Sequence, residues 1–126
     1  MVVDTSILLA VFFNEEHGGW AVDQLQEHRQ RLRMSTVNYA EALILIHSRQ
    51  PHLFEGLRRM IEESTIRLVP PTAGQAEIAA IARLRYPLNL GDCFAYALAR
   101  DEQCPVLTLD PDFRKTDATV IIPRRV

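Results

Sequence analysis

Four acidic side chains differ from the chain's other carboxylates, because each lies beside apolar residues where a strand ends or a helix begins. These four are Asp4, Glu41, Asp92 and Asp110. A carboxylate in such surroundings is costly unless another group pairs with it. The clustered acids elsewhere, such as Glu15-Glu16 and Glu62-Glu63, lie in polar stretches that are typical of a solvated surface. The four isolated acids are therefore the first candidates for chemistry.

Short β-branched runs alternate with longer helical patterns along the 126 residues. We predict strands at 1–3, 34–37, 66–69, 106–109 and 119–122, with helices between them. This alternation implies parallel pairing with right-handed crossovers. The expected fold class is α/β, a three-layer α/β/α sandwich with a central, mainly parallel sheet. The length fits one compact domain, and we expect a single domain over 1–126.

Six helices are predicted from the spacing of apolar residues. The first covers 6–13, the second extends from Trp20 to Leu32, and the third ends before Pro51. Side chains suited to capping stand before three of the six helices. They are Thr5 or Ser6 for the first helix, Thr72 for the fifth and Asn89 for the sixth.

The predicted strands and helices bring the four acids to one edge of the sheet. Asp4 and Asp110 each follow an apolar strand, so each lies at a carboxyl end. Ligands of open parallel sheets bind beyond these ends, near the topological switch point. Glu41 is expected in about the first turn of the helix after the second strand, and Asp92 at the start of the sixth helix. Both helices begin at the same edge.

Four carboxylates at one edge repel one another at neutral pH unless some are protonated or a cation neutralises them. Ligands that are all oxygen suit Mg²⁺ or Mn²⁺ better than zinc. One or two such ions can activate water and neutralise charge on an attacked phosphate. The pattern therefore favours metal-dependent phosphodiester hydrolysis.

Each acid also has a purely structural interpretation. Asp4 is a good helix-capping residue, and Asp92 can stabilise a helix amino end through the dipole. Asp110 before Pro111 can begin a turn, and Glu41 can pair with an arginine. Taken together, these interpretations do not explain why all four acids converge on one edge.

The composition alone does not indicate a nucleic-acid protein. Fourteen basic and sixteen acidic side chains leave a net charge of −2. Because strong nucleic-acid binders often carry a positive excess, this balance argues mildly against RNA. Thirteen of the fourteen basic residues are Arg, which binds phosphate bidentately, so local patches remain available. The candidates, equally well explained as a solvated surface, are Arg83, Arg85, Arg100, Arg114 and Lys115.

The sequence pattern argues against zinc-binding, membrane-spanning and secreted proteins. Cys93 and Cys104 form no C-x-x-C pair, and no His stands at zinc spacing from them. No segment reaches the ~18 apolar residues that a membrane helix needs. The apolar run 7–13 lacks the flanks of a signal peptide. We expect a soluble cytoplasmic protein that does not contact a membrane.

Three segments resemble PIN-domain ribonucleases of the VapC toxin type. Residues 2–10 resemble the family's opening motif, and 89–99 closely resemble the third acidic motif of one VapC subgroup. Residues 107–113 resemble the fourth motif, and Glu41 occupies the place of the second. The resemblance spans essentially the whole chain. The clearest departure is the segment 36–40, which is more polar than in many relatives.

The resemblance implies an Mg²⁺- or Mn²⁺-dependent endoribonuclease that acts as the toxin of a type II toxin–antitoxin pair. It implies Asp4 and Asp92 as the principal metal ligands, with Glu41 and Asp110 completing the acidic pocket. Asp112 is an alternate ligand or a supporting acid, and which of Asp110 and Asp112 is the fourth ligand remains open. A hydroxyl near the metal would come from Thr5 or Ser6, whereas Asp117 is expected to be structural.

The same resemblance implies the products and the partners. Water would attack an RNA phosphodiester and leave a 5′-phosphate and a 3′-hydroxyl. A small VapB-like antitoxin would bind the chain and place a basic side chain in the acidic pocket. A homodimer is also implied.

Two alternatives stand beside this hypothesis. The first is a PIN-fold protein that binds a partner without catalysis. The second is an Mg²⁺-dependent phosphatase or a receiver-type domain. A phosphatase requires an Asp where this chain has Ser6, and a receiver requires a Lys after the fifth strand, whereas Lys115 precedes it.

Overall fold

The computed structural model describes residues 1–126 and contains an open sheet of five parallel strands. The strands are β1 (Val2–Val3), β2 (Arg33–Ser35), β3 (Arg67–Val69), β4 (Val106–Leu107) and β5 (Val120–Ile121). The helices are α1 (Thr5–Phe12), α2 (Gly18–Glu27), α3 (Thr36–Arg49), α4 (Phe54–Glu63), α5 (Ala73–Arg85) and α6 (Leu90–Glu102). Two 3₁₀ turns cover Pro51–Leu53 and Pro111–Lys115.

The strand order is β3-β2-β1-β4-β5, and all four pairings are parallel. The chain therefore starts in the middle of the sheet, builds outwards through β2 and β3, and then crosses to β4 and β5. The order reverses between β1 and β4, which is where open parallel sheets form their ligand sites. Asp4 follows β1 directly and Asp110 lies three residues beyond the end of β4, so both acids lie at this switch point.

Two apolar cores cover the two faces of the sheet. Because successive strand residues point to opposite faces, Val2 belongs to the core formed mainly with α5 and α6, whereas Val3 belongs to the core formed with α1 to α4. Val106 and Leu107 divide between the two cores in the same way. The three-layer α/β/α prediction is confirmed.

Polar side chains fix where the helices at the sheet edge begin. Thr72 and Asn89 cap α5 and α6 by accepting hydrogen bonds from Gln75 N (3.1 Å) and Asp92 N (2.8 Å), as predicted. Ser35 caps α3 by accepting from Val37 N at 3.3 Å. The starts of α3 and α6 are therefore fixed next to the carboxyl ends of the strands.

Three predicted elements were wrong by two residues or more at one end or at both, and the other predicted bounds differ by at most one residue. The strand predicted over 34–37 ends at Ser35, because the Ser35 cap places Thr36 and Val37 in the first turn of α3. Glu41 consequently lies in the second turn of that helix. The strand predicted over 106–109 ends at Leu107, since the following Thr108 uses its hydroxyl to turn the chain. The helix predicted from Trp20 to Leu32 ends at Glu27.

Measured for length and apolar character, none of the helices qualifies as a membrane span.

Phe113 anchors the turn that follows Asp110. Its side chain is fully buried in the core against α6, and its N–H donates to Asp110 O at 3.2 Å. We expect Phe113→Ala to lower the free energy of unfolding by about 3–5 kcal/mol, because it leaves a cavity. Urea titration provides the measurement. Leu84→Ala is the control, since Leu84 is 88% exposed and should change stability by no more than about 0.5 kcal/mol. Equal losses in the two variants would contradict this assignment.

Candidate active site

Asp4 is the most buried of the four acids, with an exposure of 2%. It stands at the cap position of α1 but makes no capping hydrogen bond, so its structural interpretation as a cap was wrong. Its Oδ2 instead accepts hydrogen bonds from Ser6 Oγ and Thr108 Oγ1, both at 2.8 Å. Its Oδ1 is buried without any hydrogen-bond partner. Burial raises the pKa of the Asp4 carboxyl above its usual value, and these two hydrogen bonds oppose that rise.

The same two hydroxyls connect Asp4 to the backbone that carries Asp110. Ser6 Oγ accepts from Leu109 N at 3.0 Å, and Thr108 Oγ1 accepts from Asp110 N at 2.9 Å. Each hydroxyl thus donates a hydrogen bond to Asp4 and accepts a hydrogen bond from a backbone N–H of the turn after β4. The predicted role of Ser6 as a helix cap was therefore wrong.

Glu41 lies beside α1 and α6. Thr5 Oγ1 donates to Glu41 Oε1 at 2.6 Å, so the hydroxyl of Thr5 bonds a carboxylate and does not cap α1. The Glu41 carboxylate packs directly over Gly91, where a Cβ atom would lie 2.7 Å from Oε2. Only glycine fits at position 91 with Glu41 in this place.

Asp92 lies in the first turn of α6 and is 6% exposed. Burial is the main cause that raises the pKa of its carboxyl to about 8. The negative charges of Asp4 and Asp110 raise it further.

Asp110 also has the structural role expected of it, because its Oδ1 accepts from Asp112 N at 2.9 Å and begins the 3₁₀ turn. Asp112 points its own carboxylate at Lys115, with an Oδ1 to Nζ distance of 3.2 Å. Its charge is not among the causes that raise the pKa of Asp4 or Asp92. Asp112 therefore has a partner outside the acidic group, whereas the charge of Asp110 acts on both Asp4 and Asp92.

No basic side chain neutralises this group. None of the chain's seven ion pairs includes one of the four acids, so the interpretation of Glu41 as the partner of an arginine was wrong. The hydrogen bonds that these carboxylates accept come from hydroxyls and backbone N–H groups. The site therefore keeps a concentration of negative charge.

The donor set suits a hydrated hard cation better than an enclosed one. No three His, Cys, Asp or Glu side chains stand close enough together to hold a metal ion by themselves. Mg²⁺ usually keeps several waters and takes only one or two carboxylates together with substrate oxygens. The unpartnered Oδ1 of Asp4 and the carboxyl of Asp92 match that requirement.

Three contributors to this geometry were missed at the sequence level. Thr108 stands one residue beyond an apolar strand and two before Asp110, and that placement of a hydroxyl is the only signal for it. Gly91 lies within the third motif but had no assigned role. Asn38, fully buried in α3, lies in the polar segment 36–40.

Other predicted residues lie outside the acidic group. Asp117 accepts hydrogen bonds from Tyr96 Oη and Arg100 Nη1, which agrees with the structural role expected of it. These three residues line a cleft of about 530 Å³ beside Pro105 and Thr119, which precede β4 and β5. The cleft therefore lies at the opposite edge of the sheet from the four acids.

The raised pKa of Asp92 predicts how stability depends on pH when chelator is present. An unfolded Asp has a pKa of about 3.9, so Asp92 binds more protons in the folded chain than in the unfolded chain between about pH 4 and pH 8. The contribution of Asp92 to stability is then largest below this window and is lost as pH rises through it. Asp92→Asn should flatten the decline in the free energy of unfolding measured by urea titration. Asp23→Asn, which removes an exposed carboxyl, is the control, and an equally steep decline in Asp92→Asn would contradict the assignment.

Comparison with known proteins shows the family of the chain. The model of the PIN domain family matches residues 1–119. Ribonuclease VapC28 of Mycobacterium tuberculosis is 34% identical, over 99% of this chain and 100% of its own length. Ribonuclease VapC of Mycolicibacterium smegmatis is 35% identical, over 96% and 99% of the two chains.

Solved structures share the fold. A toxin–antitoxin complex from Klebsiella pneumoniae superposes with a TM-score of 0.80 at 21% identity, covering 99% of this chain and 98% of the other. VapC20 of Mycobacterium tuberculosis, described as a toxin that cleaves the sarcin-ricin loop, gives 0.80 at 19% identity over 97% and 98%. The resemblance seen in the motifs is confirmed, and the phosphatase and receiver alternatives are excluded. The chain belongs to the PIN-domain family, among the VapC ribonucleases.

Proposed function

We propose that this chain is a metal-dependent endoribonuclease, the toxin of a toxin–antitoxin pair, and that it hydrolyses RNA at the four-acid site. The observation that carries the proposal is the grouping of Asp4, Glu41, Asp92 and Asp110 at the switch point, with Asp4 Oδ1 buried and unpartnered. Relatives over the full length of the chain are named as ribonucleases. The location follows from the substrate: a toxin that cuts cellular RNA acts in the cytoplasm.

The residues that would hold the ion are Asp4 and Asp92, with Glu41 and Asp110 nearby. VapC ribonucleases as a class depend on divalent metal, and the oxygen ligands here favour Mg²⁺ or Mn²⁺. When bound, such an ion supplies positive charge at the attacked phosphate and lowers the pKa of the attacking water. The proposed products are a 5′-phosphate and a 3′-hydroxyl.

The chain's own residues keep the acids in place for this reaction. Ser6 and Thr108 bond Oδ2 of Asp4 and leave its buried Oδ1 without a partner, so that this oxygen would be available to an ion. Thr5 fixes one oxygen of Glu41, and Gly91 leaves room for its carboxylate. Because these contacts exist before any ligand binds, the site does not need to reorganise during the reaction.

The negative site also suits a protein partner. Several of the similar solved structures are toxin–antitoxin complexes, including one from Klebsiella pneumoniae and the DNA-bound VapBC from Salmonella typhimurium. We propose that a small VapB-like antitoxin binds this chain and that a basic side chain of the antitoxin occupies the acidic pocket. A homodimer is part of the same proposal.

We expect purified protein to cut total RNA in the presence of Mg²⁺ or Mn²⁺, and we expect cleavage to stop when chelator is added. Asp4→Asn and Asp92→Asn should each lower the cleavage rate by at least ~100-fold, because each removes a metal ligand. Gel analysis of labelled RNA measures the rate, and Asp23→Asn, in an exposed part of α2, is the control. Cleavage that is equal in wild type and in both site variants would indicate a contaminating nuclease.

The same assay decides the fourth acid. Asp110→Asn should reduce cleavage more than Asp112→Asn, because the Asp110 charge reaches Asp92 whereas Asp112 pairs with Lys115. Protein that folds but cuts no RNA under any metal condition would favour the binding-only alternative.

Gly91→Ala tests the position of Glu41. The new Cβ would lie 2.7 Å from Glu41 Oε2, which is the end of a flexible side chain, so the carboxylate should move while the backbone stays. A displacement of about 1 Å can lower a rate by as much as ~100-fold. We therefore expect slower cleavage with unchanged circular dichroism.

Gly74→Ala is the matched control for Gly91→Ala. Gly74 and Gly91 are each the second residue of a helix, and a Cβ at position 74 would meet only Thr72 Oγ1 at 3.8 Å. Gly74→Ala should therefore cleave at the wild-type rate. If Gly91→Ala did the same, the placement of Glu41 over Gly91 would be irrelevant to the reaction.

A further inference from the structure

Asn38 is a fully buried amide that the proposed reaction does not yet use. It lies in the first turn of α3, three residues before Glu41, in the polar segment 36–40. An uncharged polar side chain at 0% exposure is costly unless its hydrogen-bonding groups find partners. The partners of Asn38 therefore indicate what the residue contributes.

The amide nitrogen of Asn38 bonds outside its own helix. Nδ2 donates to the Gly91 carbonyl at 2.9 Å, in the first turn of α6. Since a carbonyl only accepts, the nitrogen and not the oxygen of the amide must face Gly91. The second hydrogen of the same nitrogen is directed to Thr5 Oγ1, at the long distance of 3.5 Å.

Thr5 extends this contact to Glu41. Its hydroxyl has one proton, and the 2.6 Å contact with Glu41 Oε1 is shorter than the 3.3 Å contact with Asn38 O. Because a carboxylate is the stronger acceptor, the proton goes to Glu41 and the Thr5 oxygen is free to accept from Asn38. Asn38 thereby joins α1, α3 and α6 at the point where Glu41 packs over Gly91.

Stability does not explain the choice of an amide here. Asn38 Oδ1 is buried with no partner, and an unpartnered buried acceptor is unfavourable. Leucine has a similar size and would remove that cost. The amide instead orients its neighbours, because its nitrogen bonds Gly91 and Thr5.

We propose that Asn38 is a positioning residue that sets the distance between Glu41 and the first turn of α6, which carries Asp92, and thereby the affinity of the site for its divalent ion. This inference rests on the proposed function. Asn38 acts through Thr5 and Gly91 and does not itself contact the ion or the RNA.

Asn38→Leu is the principal test. We expect a thermal unfolding midpoint close to that of wild type, because the lost hydrogen bonds are offset by removal of the unpartnered oxygen. Affinity for Mn²⁺, measured by calorimetry without RNA, should fall ~10–100-fold, the range known for groups that orient metal ligands. In RNA cleavage at limiting Mn²⁺, kcat should fall while KM for RNA stays close to the wild-type value.

Ser35→Ala is the matched control for a purely structural effect. Ser35 is also fully buried and caps the same helix, but it has no hydrogen bond to Thr5, Glu41 or Gly91. It should lower the unfolding midpoint and leave Mn²⁺ affinity unchanged. If Mn²⁺ affinity fell in both variants in proportion to lost stability, Asn38 would be a structural residue and the proposal would be overturned.

A double-mutant cycle with Thr5→Val tests the route of action. If Asn38 acts through the Thr5 hydroxyl, the two effects on Mn²⁺ affinity should be less than additive. Should Asn38→Leu fail to fold, Asn38→Ser, whose side chain is one atom shorter, replaces it in every measurement. Full additivity would overturn the route through Thr5.

The outcomes separate this inference from the proposed function. Wild-type protein that binds Mn²⁺ and cuts RNA, beside an Asn38→Leu variant that does both equally well, would overturn the inference alone. Wild-type protein that does neither would overturn the proposed function and the inference with it.

Discussion

Mutual repulsion among the four carboxylates, held at one edge of a parallel sheet, is the constraint on which the rest of the site depends. Burial and neighbouring negative charge raise the pKa of Asp92 to about 8, and burial raises the pKa of Asp4. A protein can relieve such repulsion with arginine, and this chain has thirteen. It uses hydroxyls and backbone N–H groups instead, which fix the oxygens in place without cancelling their charge. The site is thus ordered but still lacks positive charge.

The fold supports this arrangement by surrounding it with rigid elements. Strands β1 and β4 are only two residues long, yet every one of their side chains is buried in one of the two cores. The buried side chain of Phe113 anchors the turn after β4 in one core, and the Asn89 cap fixes the start of α6. Since repulsion at the edge opposes folding, the two cores must supply the stability that the acidic group removes. The same short strands carry buried side chains into both cores and lead into the acidic site, so the stability of the cores holds the site in place.

The sequence was sufficient to predict the fold class and to predict that the four acids lie at one edge of the sheet. The direction of the strands alone decides which residues reach the carboxyl edge. It was not sufficient for the contacts within the site. Thr5 and Ser6 were interpreted as caps, since hydroxyls before a helix usually are, and only the tertiary structure brings carboxylates close enough to compete for them. Likewise the β-branched Thr36 and Val37 favoured a strand, and the Ser35 cap overrode that local preference. Contacts such as that of Asn38 with Gly91 join residues 53 positions apart, and no local pattern encodes them.

A site that is ordered, anionic and without an internal cation has consequences for both of its proposed partners. A divalent ion and a basic side chain of an antitoxin would satisfy the same carboxylates, so each would exclude the other from the group around Asp4. Each would also lower the pKa of Asp92, because positive charge favours the ionised carboxyl. Binding of either therefore stabilises the folded chain by mass action. The features that oppose folding of the free chain are thus the ones that would give it affinity for the proposed ion and for the proposed antitoxin.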